Sequence, residues 1–217
     1  MYLKIKRFID ILLSIILIIV LFPILLLLSI ILYLKYKNII FKQKRNGINN
    51  KEFIIYKFYT IHNDKIDNLG KFLRKTGLDE LPQIINILKG DMSFIGPRPW
   101  VIDYSKYFND YQKQRLNVLP GITGYSQVTG RYNLNIFEKI EHDIYYVNNI
   151  SFIFDLKILI KTIFVIFRKS NSYKYDYEKE IEELKYQEYD FNSLVSIIIP
   201  NYNKEKYLEK CINSVLN

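Results

Sequence analysis

A long apolar run near the amino terminus constrains this chain more than any other feature. Residues 11–34 are almost unbroken Ile, Leu and Val, which is long enough to cross the hydrocarbon core of a bilayer. A cleavable signal peptide has a shorter apolar stretch, of about 7–15 residues, followed by small residues. This run instead ends in Lys35-Tyr36-Lys37. We therefore expect a membrane segment that stays in the mature protein.

Two features of this segment predict a helix that enters the membrane and returns to the same side. Basic residues flank both ends, with Lys6 and Arg7 before the run and Lys35 and Lys37 after it, and such flanks favour the cytoplasmic side. Pro23, near the middle, should bend or break the helix. The alternative is a spanning helix with a tolerated proline kink, and these features alone do not decide between the two.

The composition narrows the class of partner. The chain has 217 residues and a formal net charge of +9, which favours nucleic acid, anionic lipid or a phosphorylated substrate. The basic residues flank membrane-facing segments and no nucleic-acid-binding motif is visible, so we expect no nucleic-acid partner. The single cysteine, Cys211, excludes an internal disulfide and a Cys-rich metal site. His62 and His142 form no spaced ligand set with it, so any metal should be held by oxygen.

The remaining sequence predicts an α+β fold that is mostly helical. We expect a re-entrant membrane helix over residues 1–37 and a small cytoplasmic domain over 38–170. Residues 150–169 are apolar but interrupted by charge, which predicts an amphipathic helix lying on the membrane surface; a core-facing helix of a soluble domain is the alternative. Residues 171–193 predict a solvated linker or an exposed charged helix. Residues 194–217 have the pattern of a strand, a turn and a helix that open an α/β domain.

The stretch TGLDELPQIINILKGDMSFIGPRP, residues 76–99, carries the densest chemical signal. Asp79 and Glu80 are adjacent carboxylates, and Pro82 is tolerated only in the first turn of a helix. A helix should therefore begin near Asp79, with that carboxylate as its N-cap or in its first turn. The local pattern by itself favours a purely capping role, because Asp is a common N-cap residue.

The surroundings of this pair favour phosphate chemistry. A helix N-terminus keeps a nearby carboxylate ionised, and hence competent as a nucleophile or a Mg²⁺ ligand. Paired carboxylates beside basic residues suit metal-assisted phosphoryl transfer. Taken singly, each basic residue could equally be a surface charge. The side chains that could pair with phosphate oxygens are Arg45, Lys57, Arg74, Arg98 and Arg131.

These motifs together resemble the monotopic bacterial sugar transferases, which are small phosphoglycosyl transferases. The similarity runs from about Lys6 to about Lys169, through KRFID, FKQKRNG, YKFYTI, LDELPQIINILKGDMSFIGPRP, LPGITGYSQVTGR and DIYYVNNISFIFDLKIL. The resemblance implies transfer of a sugar 1-phosphate from a UDP-sugar to polyprenyl (undecaprenyl) phosphate, with release of UMP. It places the enzyme in the bacterial cytoplasmic (inner) membrane, with its catalytic domain, residues 38–170, facing the cytoplasm. Such an enzyme would initiate lipid-linked glycan assembly.

The resemblance also implies roles for individual residues. Asp79 would be the nucleophile that carries the phosphosugar covalently, and Glu80 would be its partner in the dyad that uses Mg²⁺. Family members commonly carry Ser before the membrane-segment proline, whereas this chain has Phe22; this difference makes the re-entrant geometry less secure. The substrate-binding residues that the resemblance implies are Lys57, Arg74, Pro97, Arg98, Pro99 and, from a looser match, Arg131.

A second resemblance concerns the carboxy-terminal residues. Residues 195–217, VSIIIPNYNKEKYLEKCINSVLN, resemble the first strand and helix of glycosyltransferases with the GT-A fold. The metal-binding and catalytic residues of that fold would lie beyond Asn217, so we expect a truncated start of a second domain. Downstream glycosyltransferases are conceivable partners. A short extension that packs elsewhere is the alternative.

The sequence also allows a non-enzymatic function. A membrane-anchored module that binds anionic lipid or partner proteins would explain the apolar segments and the net charge. It would not explain Asp79-Glu80 set beside Pro97-Arg98-Pro99. The enzyme reading therefore accounts for more of the sequence.

Overall fold

The computed structural model describes residues 2–62, 65–130, 134–167 and 177–186. Helices dominate, and two small sheets accompany them, so the predicted α+β class is confirmed. The predicted GT-A-like segment and Arg131 lie outside the described residues. The elements in chain order are α1 (Tyr2–Tyr36), β1 (Ile40–Asn46), β2 (Glu52–Phe58), α2 (Asn68–Thr76), α3 (Gln83–Lys89), β3 (Ser93–Ile95), α4 (Ile102–Ser105), α5 (Asp110–Lys113), β4 (Gly121–Thr123), α6 (Tyr125–Thr129), α7 (Ile136–Asn148), α8 (Phe152–Phe167) and α9 (Tyr177–Tyr186).

Helix α1 contains the apolar run. Its backbone stays helical through Pro23, so the helix is not divided into two at the proline. The Phe22 side chain before the proline is exposed. Ser29, further along the helix, donates a hydrogen bond from its hydroxyl to the Leu25 carbonyl at 2.7 Å. In the part of the chain that the structure describes, α1 is the one helix long and apolar enough to cross a bilayer.

Both ends of α1 bind the same domain. At the amino-terminal end, Lys6 pairs with Asp155 of α8 at 2.5 Å, and Arg7 donates to the last carbonyls of α3. At the other end, Lys35 pairs with Asp67 at 2.5 Å, next to the start of α2. A simple spanning helix would place its ends on opposite sides of about 30 Å of hydrocarbon. Both ends of α1 thus contact one domain, and the re-entrant arrangement stays a prediction.

The antiparallel pair β1 and β2 is fixed to α3 by one buried side chain. Asn86 of α3 accepts a hydrogen bond from the Tyr56 amide at 3.1 Å and donates to the Ile54 carbonyl at 2.7 Å. Because these groups lie on the edge of β2, Asn86 completes the hydrogen bonding of that edge. Side chains alternate across a strand, so Ile55, which is buried beside Ile87, lies on the same face as Lys57. The strand thus presents Lys57 next to α3.

The parallel pair β3 and β4 brings two distant motifs into backbone contact. The Gly96 amide donates to the Thr123 carbonyl, and the Gly121 amide donates to the Pro97 carbonyl, both at 2.9 Å. A Cβ atom added to Gly121 would lie 2.1 Å from the Gly96 nitrogen, which no side chain could tolerate. Glycine is needed here because the two backbones touch. The Pro97-Arg98-Pro99 turn, which we call the Arg98 loop, is thereby fixed against β4.

Helices α8 and α9 differ in how they meet the rest of the protein. In α8, Asp155 and Ile158 are buried, while most of its other large apolar side chains are exposed, as expected for the predicted interfacial helix. In α9, charge is abundant but Leu184 is fully buried and Ile181 packs beside it on a core cluster with Trp100. This helix is therefore not simply exposed, because two apolar side chains one turn apart attach it to the domain. The exposed apolar side chains of α8 are Phe152, Ile153, Leu156, Leu159, Ile160, Ile163 and Phe164.

Candidate active site

Asp79 lies in a 3₁₀ turn, Leu78–Glu80, between α2 and α3. Gly77 ends α2 with a φ of 74°, the left-handed conformation that glycine adopts most readily at a helix end. The N-cap position of α3 is occupied by Pro82, and no side chain caps that helix. The prediction that Asp79 would cap the helix or lie in its first turn is therefore wrong for α3, because a separate 3₁₀ turn precedes it.

The Asp79 carboxylate is largely buried but has no hydrogen-bonding partner among the described residues. The residue is 9% exposed, and within the described part of the chain its carboxylate makes no hydrogen bond or ion pair. A buried carboxylate without a partner is costly, and such groups concentrate at functional sites. The Asp79 oxygens are thus available to bind a ligand, whereas those of a capping residue would be bonded to backbone amides.

Glu80 is committed to two basic side chains. Its Oε1 atom accepts a hydrogen bond from Lys57 Nζ at 2.6 Å and another from Arg98 Nη2 at 3.1 Å. These contacts join β2, the 3₁₀ turn and the Arg98 loop around one carboxylate. Glu80 therefore positions the two cations beside Asp79.

The two carboxylates have pKa values displaced in opposite directions. Burial and the neighbouring Glu80 charge raise the pKa of Asp79, while Lys57, Arg74 and Arg98 oppose that rise. Burial alone would also raise the pKa of Glu80, but Arg98 and Lys57 hold it at about 2. Glu80 is therefore a fixed negative charge, and Asp79 is the carboxyl whose protonation can change. The predicted helix terminus is not among the causes of the shift at Asp79.

A small cavity opens beside this pair. It is lined by Arg45, Lys57, Glu80, Gln83, Arg98 and Pro99, together with Ile55 and Gly121. Burial lowers the pKa of Lys57, and the adjacent Glu80 charge opposes that effect. Three basic side chains around one carboxylate leave the cavity with an excess of positive charge. The cavity has a volume of about 10 Å³, which is room for about one water molecule, so this charge would attract phosphate oxygens to its mouth and would not enclose a whole diphosphate.

The carbonyl groups of the Arg98 loop hold it in place. Proline has no backbone N–H, so Pro97 and Pro99 cannot fix the loop by donating hydrogen bonds. Instead, four consecutive carbonyls, those of residues 97 to 100, each accept one. Their donors, in order, are the Gly121 amide at 2.9 Å, Arg115 Nη2 at 2.9 Å, Arg45 Nη1 at 3.4 Å and the Asn46 amide at 3.1 Å.

Most of the predicted site residues meet at this place. Arg45, Lys57 and Arg98 line the cavity. Arg74 is exposed and donates from Nε to Thr60 Oγ1 at 2.9 Å, and its charge acts on Asp79. Arg131 falls within residues 131–133, outside the described part.

The residues present are compatible with the predicted Mg²⁺ ion. Nowhere in the described ranges do three or more His, Cys, Asp or Glu side chains gather into a metal cluster, so the Asp79-Glu80 pair stands alone. Mg²⁺ is commonly bound by one or two carboxylates, with water and substrate phosphates completing its shell. The unbonded oxygens of Asp79 and the Oε2 atom of Glu80 could serve in such a partial site. The metal itself stays a prediction.

Two residues of this region were not predicted from the sequence. Gln83 lines the cavity and is 2% exposed, and its Nε2 atom has no partner among the described groups. The one sequence feature that could have indicated Gln83 is its position directly after Pro82. Arg115, which holds the Arg98 carbonyl, gave no signal, because its partners lie far from it in sequence.

Comparison with known proteins identifies the family. The sequence model described as bacterial sugar transferase matches residues 1–169, which is most of the chain. The chain belongs to the bacterial sugar transferase family. The predicted resemblance to the polyprenyl-phosphate phosphoglycosyl transferases is confirmed.

Named relatives include both uncharacterised and assigned transferases. The uncharacterised sugar transferase EpsL of Bacillus subtilis is 41% identical over 137 residues, covering 58% of this chain and 68% of the relative. The UDP-N-acetylgalactosamine-undecaprenyl-phosphate N-acetylgalactosaminephosphotransferase of Aeromonas hydrophila is 36% identical over 184 residues, covering 75% of this chain and 43% of that protein. The UDP-glucose:undecaprenyl-phosphate glucose-1-phosphate transferase of Klebsiella pneumoniae is 35% identical over 191 residues, covering 77% and 41% respectively. The chain thus spans about two fifths of the length of these last two relatives.

Proposed function

We propose that this chain transfers a sugar 1-phosphate from a UDP-sugar to undecaprenyl or a similar polyprenyl phosphate and releases UMP. The observation that carries the proposal is the uncommitted, largely buried Asp79 carboxylate beside three basic side chains. The relatives named for UDP-sugar:undecaprenyl-phosphate transfer support the same substrates. In a bacterium, the site would face the cytoplasm, where UDP-sugars are made.

The reaction would proceed in two displacements at one phosphorus atom. In the first, an Asp79 oxygen bonds to the β-phosphorus of the UDP-sugar, and the bond from that phosphorus to the bridging oxygen breaks. UMP leaves with the bridging oxygen and its electron pair, and the phosphosugar stays on Asp79. In the second, a polyprenyl phosphate oxygen bonds to the same phosphorus, and the Asp79 carboxylate is released. A covalent intermediate allows a soluble donor and a lipid acceptor to use the site in turn.

The neighbouring residues would supply charge and position. Lys57 and Arg98 would pair with the diphosphate oxygens and stabilise the charge that develops during transfer. Glu80 would hold both cations in place through its Oε1 atom, at the distances seen in the structure. Arg74 would favour the ionised, nucleophilic form of Asp79. Gln83 could donate its free amide hydrogen to a bound oxygen.

Mg²⁺ would be held by Asp79 and Glu80 together with the donor phosphates. When bound, it would supply further neutralisation of the diphosphate charge. The protein's own part is to offer oxygen ligands that its basic side chains do not already occupy. A role for Arg131 on the donor and a coupling to downstream glycosyltransferases belong to the same proposal.

A non-catalytic membrane module is the second candidate function. The exposed apolar faces of α1 and α8 favour membrane binding, but they fit the enzyme equally well. A lipid-binding module gains nothing from a buried, unpaired carboxylate, which destabilises a domain unless a ligand uses it. The site therefore favours the enzyme.

The experiment that tests the proposal is UMP release from a panel of UDP-sugars. Detergent-purified protein would be given polyprenyl phosphate and Mg²⁺, with Asp79→Asn in parallel. We expect release with at least one donor and its loss in Asp79→Asn, because an amide is a far weaker nucleophile than a carboxylate. The same panel identifies the donor sugar.

A matched control separates lost chemistry from lost folding. Asp103→Asn changes a half-exposed carboxylate of α4 that pairs with Lys106 at 2.6 Å, away from the site, so it should keep full activity. No release with any donor, from protein whose thermal unfolding is cooperative, would contradict the proposal. Salt-sensitive vesicle binding without turnover would then favour the lipid-binding module.

A further inference from the structure

Arg115 is a buried cation that touches the Arg98 loop from behind. It is 2% exposed, and it lies in the 3₁₀ turn Gln114–Leu116 that follows α5. Its Nη2 atom donates to the Arg98 carbonyl at 2.9 Å. Arg98 is thus held at two points, by Arg115 at its backbone and by Glu80 at its guanidinium.

Arg115 is itself fixed on three sides. Its Nε and Nη2 atoms donate to Asp143 Oδ2 at 3.1 and 2.7 Å. Ser126 Oγ donates to the other oxygen of Asp143 at 2.8 Å, so that carboxylate cannot rotate freely. The Arg115 Cζ atom lies over the Trp100 ring, 3.9 Å from its centre, within cation–π distance. Trp100 is the residue that follows the loop.

These contacts give Arg115 a geometry that lysine could not reproduce. A guanidinium group has donors directed in a fixed plane, whereas an ammonium group is a compact charge. Arg115 uses this plane to reach Asp143 and the Arg98 carbonyl together while it stacks on Trp100. A lysine could neutralise Asp143 but could not make all three contacts.

We propose that Arg115 is a positioning residue that fixes the Arg98 loop, so that the Arg98 guanidinium stays beside Glu80 and Asp79. The inference rests on the proposed function, because it gives Arg98 a part in binding the donor phosphates. Arg115 does not line the cavity and acts only through Arg98. It should therefore affect the UDP-sugar and not the lipid acceptor.

The test is a double-mutant cycle of Arg115→Lys and Arg98→Ala, with steady-state kinetics for both substrates. We expect Arg115→Lys to lower kcat/KM for the UDP-sugar by about tenfold to a hundredfold, the range that small displacements of catalytic groups produce. Its effect should be a higher KM for the donor, with the KM for polyprenyl phosphate unchanged. In the Arg98→Ala background, Arg115→Lys should have no further effect, since no guanidinium remains to be positioned.

Lys139→Gln is the control for a general loss of stability. Lys139 of α7 pairs with Glu180 of α9 at 2.6 Å, and both side chains are mostly buried, whereas Arg98 is held by Arg115 and Glu80. This variant should lower the unfolding temperature and leave the donor KM unchanged. If Arg115→Lys behaves in the same way, or if its loss multiplies with that of Arg98→Ala, the inference is overturned.

If Arg115→Lys does not fold, a second variant tests the same inference. Asp143→Asn keeps the shape and one acceptor oxygen but weakens the hold on Arg115, so it should produce a smaller rise of the donor KM that again vanishes in Arg98→Ala. An unchanged donor KM in folded Asp143→Asn would overturn the inference. Failure of the proposed function would differ from both results, because the wild-type protein would then release no UMP.

Discussion

At the scale of single residues, the site depends on the unequal environments of two adjacent carboxylates. Glu80 has two cationic partners, and its pKa is held at about 2. Asp79 has none in direct contact, and burial raises its pKa. The two neighbouring carboxylates therefore differ in role, because only Glu80 forms hydrogen bonds with Lys57 and Arg98.

This difference predicts opposite shifts in the acid limb of the pH profile. The Glu80 charge raises the pKa of Asp79, and the Arg74 charge lowers it. If ionised Asp79 is the nucleophile, activity is lost as the pH falls through its pKa. Glu80→Gln should therefore move the acid limb of kcat/KM to lower pH, and Arg74→Ala should move it to higher pH.

Lys71→Ala provides the control, because Lys71 is exposed on the same helix as Arg74 and is not among the charges that act on Asp79. Its pH profile should coincide with that of the wild type. Shifts of the same sign in Glu80→Gln and Arg74→Ala would refute the assignment of this limb to Asp79.

At the scale of elements, the ends of α1 hold the segment that carries Asp79. Asp67 is the N-cap of α2 and accepts a hydrogen bond from the Gly70 amide at 2.8 Å. The same carboxylate accepts from Tyr36 and pairs with Lys35 of α1. Arg7 donates to the Ile87 and Leu88 carbonyls at the end of α3. The unit from α2 to α3 is thus attached to the membrane helix at both ends.

Asp67 should make stability depend on acidic pH. The Gly70 amide, with Lys35 and Tyr36, holds its pKa well below the usual range. Its contribution is present above the unfolded pKa of about 4 and is lost as the pH falls below that value. Asp67→Ala should cost about 1 kcal/mol of unfolding free energy at neutral pH, the usual effect of a lost cap, and should flatten the acid dependence.

The matched variant is Asp67→Asn, which keeps a capping oxygen but loses the charge that pairs with Lys35. It should be less destabilised than Asp67→Ala at neutral pH. Denaturant unfolding in detergent, followed between about pH 3 and 7, measures all three proteins. Equal stability of Asp67→Ala and wild type at neutral pH would show that the cap contributes nothing.

The sequence was most informative where the signal is local. Pro82 marks the start of a helical segment, but the 3₁₀ turn at Asp79 depends on how Gly77 ends α2, so the predicted cap was wrong. Pairing of Glu80 with Lys57 and Arg98 joins residues 23 and 18 positions away, and no spacing rule predicts such contacts. Asp79, Glu80 and Arg98 were candidates from the local pattern, and the family resemblance implied their roles and those of Pro97 and Pro99. Their geometry required the fold.

At the scale of the whole molecule, α1 determines how the site meets the membrane. Its 35 residues correspond to roughly 52 Å of straight helix, yet both of its ends bind one small domain. Helix α9 is rich in charged residues, which predicted an exposed helix, yet its Ile181 and Leu184 side chains pack in the core cluster. Long-range packing, not local composition, determined both placements.

This arrangement predicts that both ends of α1 lie on the cytoplasmic side. Lys4→Cys and Lys37→Cys would each be made with Cys211→Ser, since Cys211 is the one native cysteine. In intact spheroplasts, an impermeant maleimide should label neither variant, and after permeabilisation it should label both. Labelling of exactly one end in intact cells would instead indicate a spanning helix.

The most direct measurement of the central claim is the mass of Asp79 after reaction with the donor alone. The protein would be incubated with an accepted UDP-sugar and Mg²⁺ without polyprenyl phosphate, quenched in acid and analysed by intact and peptide mass spectrometry. We predict an added phosphosugar on the peptide that contains Asp79, its absence in Asp79→Asn, and its disappearance when polyprenyl phosphate is supplied. UMP release that requires the acceptor, with no adduct on Asp79 at any time, would contradict the covalent account.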